Sequence, residues 1–210
     1  MAGGGDEGGL MRQKLERPRL IVGISGASGV IYGARLLVLL QKLPVETHLV
    51  VSRSAEIALA LETDLKPADL RALADVVHAA GDMAAPISSG SFKTLGMIIA
   101  PCSIRSMSEI ATGVTATLLT RAADVVLKER RRLVLAVRET PLHAGHLRTM
   151  TALAEMGAII APPVPAFYAK PQTLDEMIDH TLGRLLDLFD LDAGTVRRWG
   201  EPTPVPTAKS

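Results

Sequence analysis

Small residues crowd one stretch of the chain where a strand pattern gives way to a helix pattern. The segment Gly23-Ile-Ser-Gly-Ala-Ser-Gly29 joins the apolar run 19–24 to the periodic stretch 30–42. Small side chains let a backbone approach an anion closely, and the first turn of a helix offers unpaired N–H groups at the positive end of its dipole. The segment therefore predicts a phosphate-binding turn, although a tight turn without a ligand has the same pattern.

The residue that closes the next strand bears on the class of ligand. Dinucleotide-binding folds usually carry an acidic residue there, which holds the ribose hydroxyls of NAD. This chain has Ser52 instead, and its glycines are not spaced as G-x-G-x-x-G. A hydroxyl suits the ribityl chain or phosphate of a flavin better, so the sequence favours a flavin over a dehydrogenase cofactor.

Charged residues recur further along the chain. Arg121 and Lys128 are seven residues apart and so share one face of a helix, while Arg138 and Glu139 end the strand that follows. Cations can hold a phosphate, and a carboxylate can act as acid or base. For Arg121 a buried ion pair would fit equally well, and the run 130–132 is typical of a solvated helix end.

Alternating strands and helices must position these residues. Apolar, β-branched runs predict strands over 19–24, 46–51, 97–100, 132–137 and 158–161, and helical spacing predicts helices over 30–42, 53–61, 103–112, 115–128, 143–156 and 174–189. This alternation predicts the α/β class: a three-layer, Rossmann- or flavodoxin-like parallel sheet with helices on both faces. Ligands of such sheets bind beyond the carboxyl ends of the strands.

Length and composition limit the number of domains and the kinds of partner and cofactor that this chain can have. The 210 residues fit one domain, expected over 18–190, between a disordered segment 1–17 and a tail 191–210 that is rich in proline over 202–206. A net charge of +1 argues against a nucleic-acid partner, and a single cysteine excludes an internal disulfide or a thiolate zinc cluster. No apolar run reaches the length of a membrane span, so a cytoplasmic location is expected.

Six motifs follow one another along the chain. They are GASG at 26–29, SSGSFKT at 88–94, PCS at 101–103, RAADVVLKER at 121–130, VRETPL at 137–142 and PPVPAFY at 162–168. Together they resemble the flavin prenyltransferase (UbiX-like) family over residues 19–201. The resemblance implies a homo-oligomer, usually a dodecamer, that joins a dimethylallyl group from dimethylallyl phosphate to N5 and C6 of reduced FMN without a metal. Prenylated FMN would then pass to a separate UbiD-like decarboxylase.

The resemblance also implies roles for individual residues. The catalytic set would be Glu139 as the acid–base group with Glu62, Lys128, Arg121 and Trp199. The FMN-binding set would be Gly26, Ala27, Ser28, Ser52, Ser103, Ile104, Arg105, Ser106 and Arg138. The phosphate of the prenyl donor would be clamped by Lys128, Arg138, Tyr168 and Arg184. Trp199, the only tryptophan, would lie in an oligomer contact, against a neighbouring subunit's site.

Simpler explanations exist for some of these residues. Glu62 would equally be a helix-end carboxylate, Ser103 a helix N-cap and Trp199 a plain oligomer contact. Cys102 has no evident partner base and is predicted to be a small buried hydrophobic residue. The three aspartates near the end of the last predicted helix do not form an Asp-Asp-x-x-Asp magnesium motif and are predicted to be an exposed helix face: Asp187, Asp190 and Asp192.

Two other functions are compatible with this general fold. A flavin-dependent decarboxylase of a cysteinyl substrate typically needs a histidine near the first helix and a Pro-Ala-Ser-Ala-Asn-Thr clamp. This chain has no histidine over 30–42, and Pro101-Cys-Ser-Ile-Arg-Ser106 stands where the clamp would be. An FMN-carrying subunit of a decarboxylase complex has no use for a second phosphate clamp, which Lys128, Tyr168 and Arg184 imply. The sequence therefore favours the prenyltransferase.

Overall fold

A computed structural model describes residues 17–200 of the chain. Its sheet is parallel throughout, with six strands in the order β3-β2-β1-β4-β5-β6. The strands are β1 (Arg19–Ile24), β2 (Glu46–Val51), β3 (Val76–His78), β4 (Gly96–Cys102), β5 (Arg132–Val137) and β6 (Ile159–Ile160). The helices are α1 (Val30–Leu40), α2 (Arg53–Glu62), α3 (Pro67–Ala72), α4 (Ile104–Thr112), α5 (Leu118–Lys128), α6 (Ala144–Glu155) and α7 (Leu174–Asp187).

The strand order confirms the predicted fold class. The order 3-2-1-4-5-6 is that of the Rossmann fold, and without the three-residue edge strand β3 it becomes the 2-1-3-4-5 order of flavodoxin. In both, the chain reverses direction across the sheet between β1 and β4. Helix N-termini diverge at this switch point, which leaves a crevice beyond the carboxyl ends of these strands.

Helices cover both faces of the sheet. Because side chains alternate along a strand, Leu20 and Val22 face the layer of α1, α2 and α7, whereas Ile21 faces the layer of α4, α5 and α6. Both faces of β1 are therefore buried, which explains why its sequence is a continuous apolar run rather than an alternating one. Aliphatic side chains dominate both cores, as the low aromatic content predicts.

Two elements lie where the sequence pattern indicates none. Helix α3 begins at Pro67, and Asp69 in its first turn accepts a hydrogen bond from the backbone N–H of Lys66. Strand β3 has three residues, which is too short to show a period. Elsewhere the predicted strands 19–24, 46–51 and 132–137 match the structure at both ends, and α7 ends two residues before its predicted end.

Two predicted segments lie partly outside the described residues. Residues 1–16 of the predicted N-terminal segment and residues 201–210 of the predicted tail are outside the described residues. Between residues 17 and 200, no helix combines the length and the apolar character that crossing a membrane requires.

Candidate active site

The turn after β1 packs directly against the start of α2. A Cβ atom at Gly26 would overlap the side chain of Ser54 and lie 3.0 Å from its backbone carbon, so only glycine permits this approach. The contact brings the turn beside Ser52, whose hydroxyl caps α2 and lies 3.1 Å from the Ser54 hydroxyl. A glycine cradle edged by the exposed Ser28 and by these hydroxyls fits a phosphate ester such as that of FMN.

A buried serine joins the two turns on either side of the switch point. The Ser25 hydroxyl donates to the carbonyl of Pro101 at 3.0 Å and accepts from the backbone N–H of Ser103 at 2.7 Å. Ser103 in turn caps α4, because its hydroxyl accepts from the N–H of Ser106 at 3.2 Å. The sequence analysis missed Ser25, although a small polar residue between an apolar strand and a glycine turn is a usable signal.

Glu62 closes the N-terminus of α1. Its Oε2 atom accepts from the backbone N–H groups of Gly29 at 2.7 Å and Val30 at 3.2 Å. Desolvation alone would raise the pKa of Glu62, but these bonds, a bond from the Ser28 hydroxyl and the charge of Arg138 together lower it. Glu62 is thus a helix-end carboxylate of α2 that also caps α1 at the edge of the predicted FMN site.

Arg138 and Glu139 extend the same edge from β5. The Arg138 backbone N–H donates to the carbonyl of Cys102 at 3.0 Å, and its charge acts on both Glu62 and Tyr32. Burial raises the pKa of Tyr32, and Arg138 partly offsets this. Glu139 is exposed, and its Oε1 accepts from the N–H of Thr140 at 3.0 Å. Tyr32, one of two tyrosines in the chain, thus lies at this edge of the candidate site, and the sequence analysis missed it.

Arg121 and Lys128 lie on the face of α5 that packs against the segment 88–92. Arg121 donates to the carbonyl of Ser88 at 3.2 Å and pairs with Asp124 at 2.9 Å. Lys128 pairs with its neighbour Glu129, and a Cβ atom at Gly90 would lie 2.8 Å from Lys128 Nζ. Of the two explanations for Arg121, the structure contains the ion pair, partly buried.

A third group lies around α7: Tyr168 precedes the helix, Arg184 lies in its last turn and Trp199 follows it. The rings of Tyr168 and Trp199 meet edge-to-face with centroids 5.4 Å apart. Trp199 is nevertheless 81% exposed. Arg184 donates to Asp187 at 2.7 Å in the last turn of α7.

One copy of the chain does not bring these three groups together. Helix α5, with Arg121 and Lys128, and helix α7, with Arg184, belong to cores on opposite faces of the sheet. Lys128 also precedes the amino end of β5, whereas Arg138 follows its carboxyl end. The six residues of β5 separate these two groups by about 20 Å, at about 3.3 Å for each strand residue.

Comparisons with known proteins assign the chain to a family. The family model described as Flavoprotein matches residues 10–197. Flavin prenyltransferase UbiX of Escherichia coli (strain K12) is 64% identical over 172 residues, which are 81% of this chain and 91% of the relative. The chain belongs to the flavin prenyltransferase (UbiX-like) family.

Solved structures of this family have the same fold. A structure of AnUbiX (PadA1) in complex with FMN and dimethylallyl pyrophosphate gives a TM-score of 0.87 at 51% identity, over 89% of this chain and all of the other. A dodecameric FMN-dependent UbiX-like decarboxylase from Escherichia coli O157:H7 gives 0.85 at 49% identity, over 87% of this chain and all of the other. The family resemblance and the predicted three-layer fold are therefore confirmed.

Two minor expectations for this flavin prenyltransferase chain were wrong. Arg131 does not belong to a solvated helix end, because its guanidinium donates to the carbonyls of Phe92 and Gly90 at 2.7 Å each, with 17% of the side chain exposed. Asp187 does not lie on an exposed helix face, because two arginines cover it and leave 18% of its side chain exposed. The Arg131 contacts and the Arg198–Asp187 pair join residues whose proximity only the tertiary fold creates.

The structure also gives the surroundings of four other residues that the sequence analysis singled out. Cys102 is fully buried, as predicted. The side chain of Arg105 is 82% exposed and pairs with Glu109 along α4 at 2.9 Å, while Ile104 precedes it at the start of the same helix. Ala27 donates its N–H to the carbonyl of Ser25 at 2.9 Å, which shapes the glycine turn.

Proposed function

We propose that this chain is a flavin prenyltransferase, which joins the dimethylallyl group of dimethylallyl phosphate to N5 and C6 of reduced FMN. One observation carries the proposal: in a chain 64% identical to a flavin prenyltransferase, the glycine turn, Ser52, Ser103 and Arg138 meet at the switch point of the sheet. Four neighbouring strands deliver these residues to one edge, where ligands of such folds bind.

The flavin side of the site holds a rigid cradle. Gly26 and Ser28 from β1, Ser52 from β2 and the α4 turn from Ser103 to Ser106 would bind the phosphate and ribityl chain of FMN. The hydrogen bonds of Ser25 fix two of these turns relative to each other. The turns are therefore preorganised, and FMN binding would need little further ordering of the backbone. Bound reduced FMN supplies the nucleophilic N5 and C6 atoms.

The donor side of the site needs cations and a base. We assign Lys128, Arg138, Tyr168 and Arg184 to the donor phosphate, because fixed cations stabilise the negative charge that grows on a departing phosphate. Glu139 would take the proton lost from C6, since its exposed carboxylate follows Arg138 at the carboxyl end of β5. Arg121, Glu62 and Trp199 would complete the catalytic set.

Several copies of the chain would build each site. Lys128 and Glu139 lie at opposite edges of the sheet, and the exposed Trp199 needs a neighbour to cover it. We therefore propose a homo-oligomer, specifically the dodecamer described for the Escherichia coli O157:H7 relative. We further propose that the product passes to a UbiD-like decarboxylase and that the reaction takes place in the cytoplasm, where reduced FMN is available.

Anaerobic turnover tests the proposal. The full-length protein would be incubated with reduced FMN, dimethylallyl phosphate and a chelator, and the released flavin would be analysed by mass spectrometry. We expect a flavin heavier by one C5 prenyl unit, and loss of this product in Glu139→Gln with FMN binding retained. A parallel reaction with dimethylallyl pyrophosphate establishes donor preference. Unmodified flavin from protein that binds FMN normally would overturn the proposal in favour of an FMN-carrying subunit.

A further inference from the structure

The segment after α7 folds back along that helix. Thr195 Oγ1 donates to the carbonyl of Asp179 at 2.9 Å, and the His180 ring nitrogen Nε2 lies at hydrogen-bond distance, 3.3 Å, from the carbonyl of Arg197. Arg197 itself donates to the carbonyl of Ala169 at 2.9 Å. Residues 195–197 are thereby fixed to α7 and to the turn that carries Tyr168.

A glycine inside α7 allows this close approach. A Cβ atom at Gly183 would overlap the Thr195 hydroxyl and lie 2.6 Å from Val196 Cγ2. Glycine in a helix interior costs about 1 kcal/mol relative to alanine, so its presence here needs a reason. The reason is packing, because Gly183 receives the returning segment.

One carboxylate joins the returning segment to the helix. Arg198 donates to Asp187 through two guanidinium nitrogens, each at 3.0 Å, which is the bidentate geometry of the strongest arginine–carboxylate pairs. Arg184 donates to the same carboxylate at 2.7 Å. The hydrogen bonds from Arg198, followed by the charges of both arginines, lower the pKa of Asp187 despite its desolvation.

The two arginines that pair with Asp187 are connected to two different parts of the proposed donor site. Arg184 belongs to the phosphate clamp, and Arg198 immediately precedes Trp199, whose ring meets Tyr168 edge-to-face at 79°. Asp187 thus restrains a clamp residue directly and fixes the backbone next to Trp199. An unrestrained arginine has many rotamers, and restricting the side chain to one of them costs about 2 kcal/mol of entropy. The pair with Asp187 would restrict Arg184 before the donor binds, so that donor binding would not carry this cost.

We propose that Asp187 is a positioning residue that couples Arg184, in the donor-phosphate clamp, to the segment that carries Trp199. The inference rests on the proposed function, because that function assigns Arg184, Tyr168 and Trp199 to the prenyl donor. It adds a residue outside the site that prepares two site residues at once.

The single tryptophan makes the coupling measurable without turnover. Asp187→Asn keeps the size of the side chain but removes the charge that both arginines share. We propose that a neighbouring copy in the oligomer covers the Trp199 ring, which is 81% exposed in one chain, and we expect acrylamide quenching of its fluorescence to rise about twofold when that position loosens. We expect the Kd of dimethylallyl phosphate for protein loaded with oxidised FMN to rise roughly tenfold, the equivalent of losing one charge-assisted bond. FMN affinity should not change.

A matched control is available one turn away. Asp190→Asn makes the same chemical change at an exposed carboxylate that pairs with Arg132 at 3.0 Å. Asp190 has a φ of 59°, a conformation that asparagine tolerates well. We expect this variant to match the wild type in both quenching and donor Kd.

The outcomes separate the inference from the proposed function. Unchanged quenching, or increased quenching with an unchanged donor Kd, overturns the coupling. A lower donor Kd in Asp187→Asn would mean that Asp187 competes with the phosphate for Arg184, which also overturns the inference. A wild-type protein that cannot bind the donor overturns it as well. A wild type that binds the donor but makes no prenylated flavin refutes the proposed function alone.

A second variant guards against a fold defect in Asp187→Asn. Gly183→Ala favours the helix and displaces residues 195–196 while leaving the Arg184–Asp187 pair in place. We expect quenching to rise as in Asp187→Asn and the donor Kd to rise less. Quenching like that of the wild type in Gly183→Ala would show that the returning segment does not hold Trp199, and would overturn the inference.

Discussion

Lys128 and Arg138 flank the same strand, β5, at its two ends. Lys128 is the last residue of α5, beside the amino end of β5, and Arg138 follows the carboxyl end. The buried strand between them is about 20 Å long, and two side chains cannot meet on one phosphate through a packed core. If both residues bind the donor, as we propose, we infer that they come from different copies of the chain.

Mixed oligomers should therefore recover activity that each variant lacks alone. Lys128→Ala removes a clamp cation, and Glu139→Gln removes the proposed base, so each is expected to lose most prenyl transfer. When both are co-expressed in one cell, random assembly gives about a quarter of the sites a wild-type Lys128 and a wild-type Glu139 from different copies. Anaerobic turnover of the co-purified mixture should reach roughly that fraction of wild-type activity.

Mixing after purification provides the control for this complementation. The two variants purified separately and combined without exchange of subunits should remain inactive. Co-expressed variants that are no more active than either parent would place Lys128 and Glu139 in the same copy's site, against the geometry of β5.

The cradle at Gly26 makes a prediction about FMN. In Gly26→Ala the new methyl group overlaps Ser54, including backbone that cannot rotate away. We expect FMN affinity to fall at least about tenfold and stability to fall by about 1–3 kcal/mol, the usual cost of overpacking. Titration of FMN fluorescence measures the affinity. Gly81→Ala is the matched control, because a Cβ atom there meets nothing within 4 Å, and a loss of affinity in that variant would contradict the explanation.

Much of this architecture is predictable from sequence because parallel sheets obey simple rules. The runs that became β1 and β5 are continuous and apolar, and the special residues Ser52 and Arg138 follow strands directly. Parallel strands bring their carboxyl ends to one edge, so the order of strands need not be known for these residues to be expected near each other. The flavin side of the site follows from that rule.

The remaining contacts depend on tertiary pairings that no local pattern contains. Glu62 caps a helix that begins 32 residues earlier at Val30, and Arg131 bonds to a segment 41 residues before it at Gly90. The sequence around Asp187 is like that of any exposed helix end. The carboxylate is covered only because the segment after α7 folds back and places Arg198 against it. From sequence alone, such polar side chains are predicted to be exposed, because the spacing of residues along one helix or strand does not reveal which other segment packs against it.

The ionised Glu62 carboxylate should make the free energy of unfolding depend on pH. Its folded pKa is lowered, so its contribution is fully present above the unfolded glutamate pKa of about 4.3 and is lost as the pH falls through the lower folded pKa. Glu62→Gln keeps an oxygen acceptor but loses the charge at the N-terminus of α1. We expect a loss of about 0.3–1 kcal/mol at pH 7, discounted because the side chain is exposed, and a difference from wild type that shrinks as the pH falls below about 4.3.

Urea unfolding at a fixed protein concentration measures this difference across pH. Glu155→Gln, which removes an exposed carboxylate at the end of α6, is the control for the chemical change itself. A Glu62→Gln deficit that persists unchanged at acid pH would mean that shape, not charge, accounts for the cap.

Cys102 should be chemically silent in the folded protein. The thiol is fully buried, and burial raises its pKa to about 12, so almost no thiolate forms even at the pH where exposed cysteines ionise. We expect an aromatic disulfide reagent to label no thiol in the native protein between pH 7 and about 9.5, and one thiol per chain after denaturation in guanidinium. Cys102→Ala should retain prenyl transfer, because a buried neutral thiol cannot act as a nucleophile. Rapid native labelling that accelerates as the pH rises through about 8.5, together with loss of activity in Cys102→Ala, would instead make Cys102 part of the chemistry and require that β4 open at the switch point.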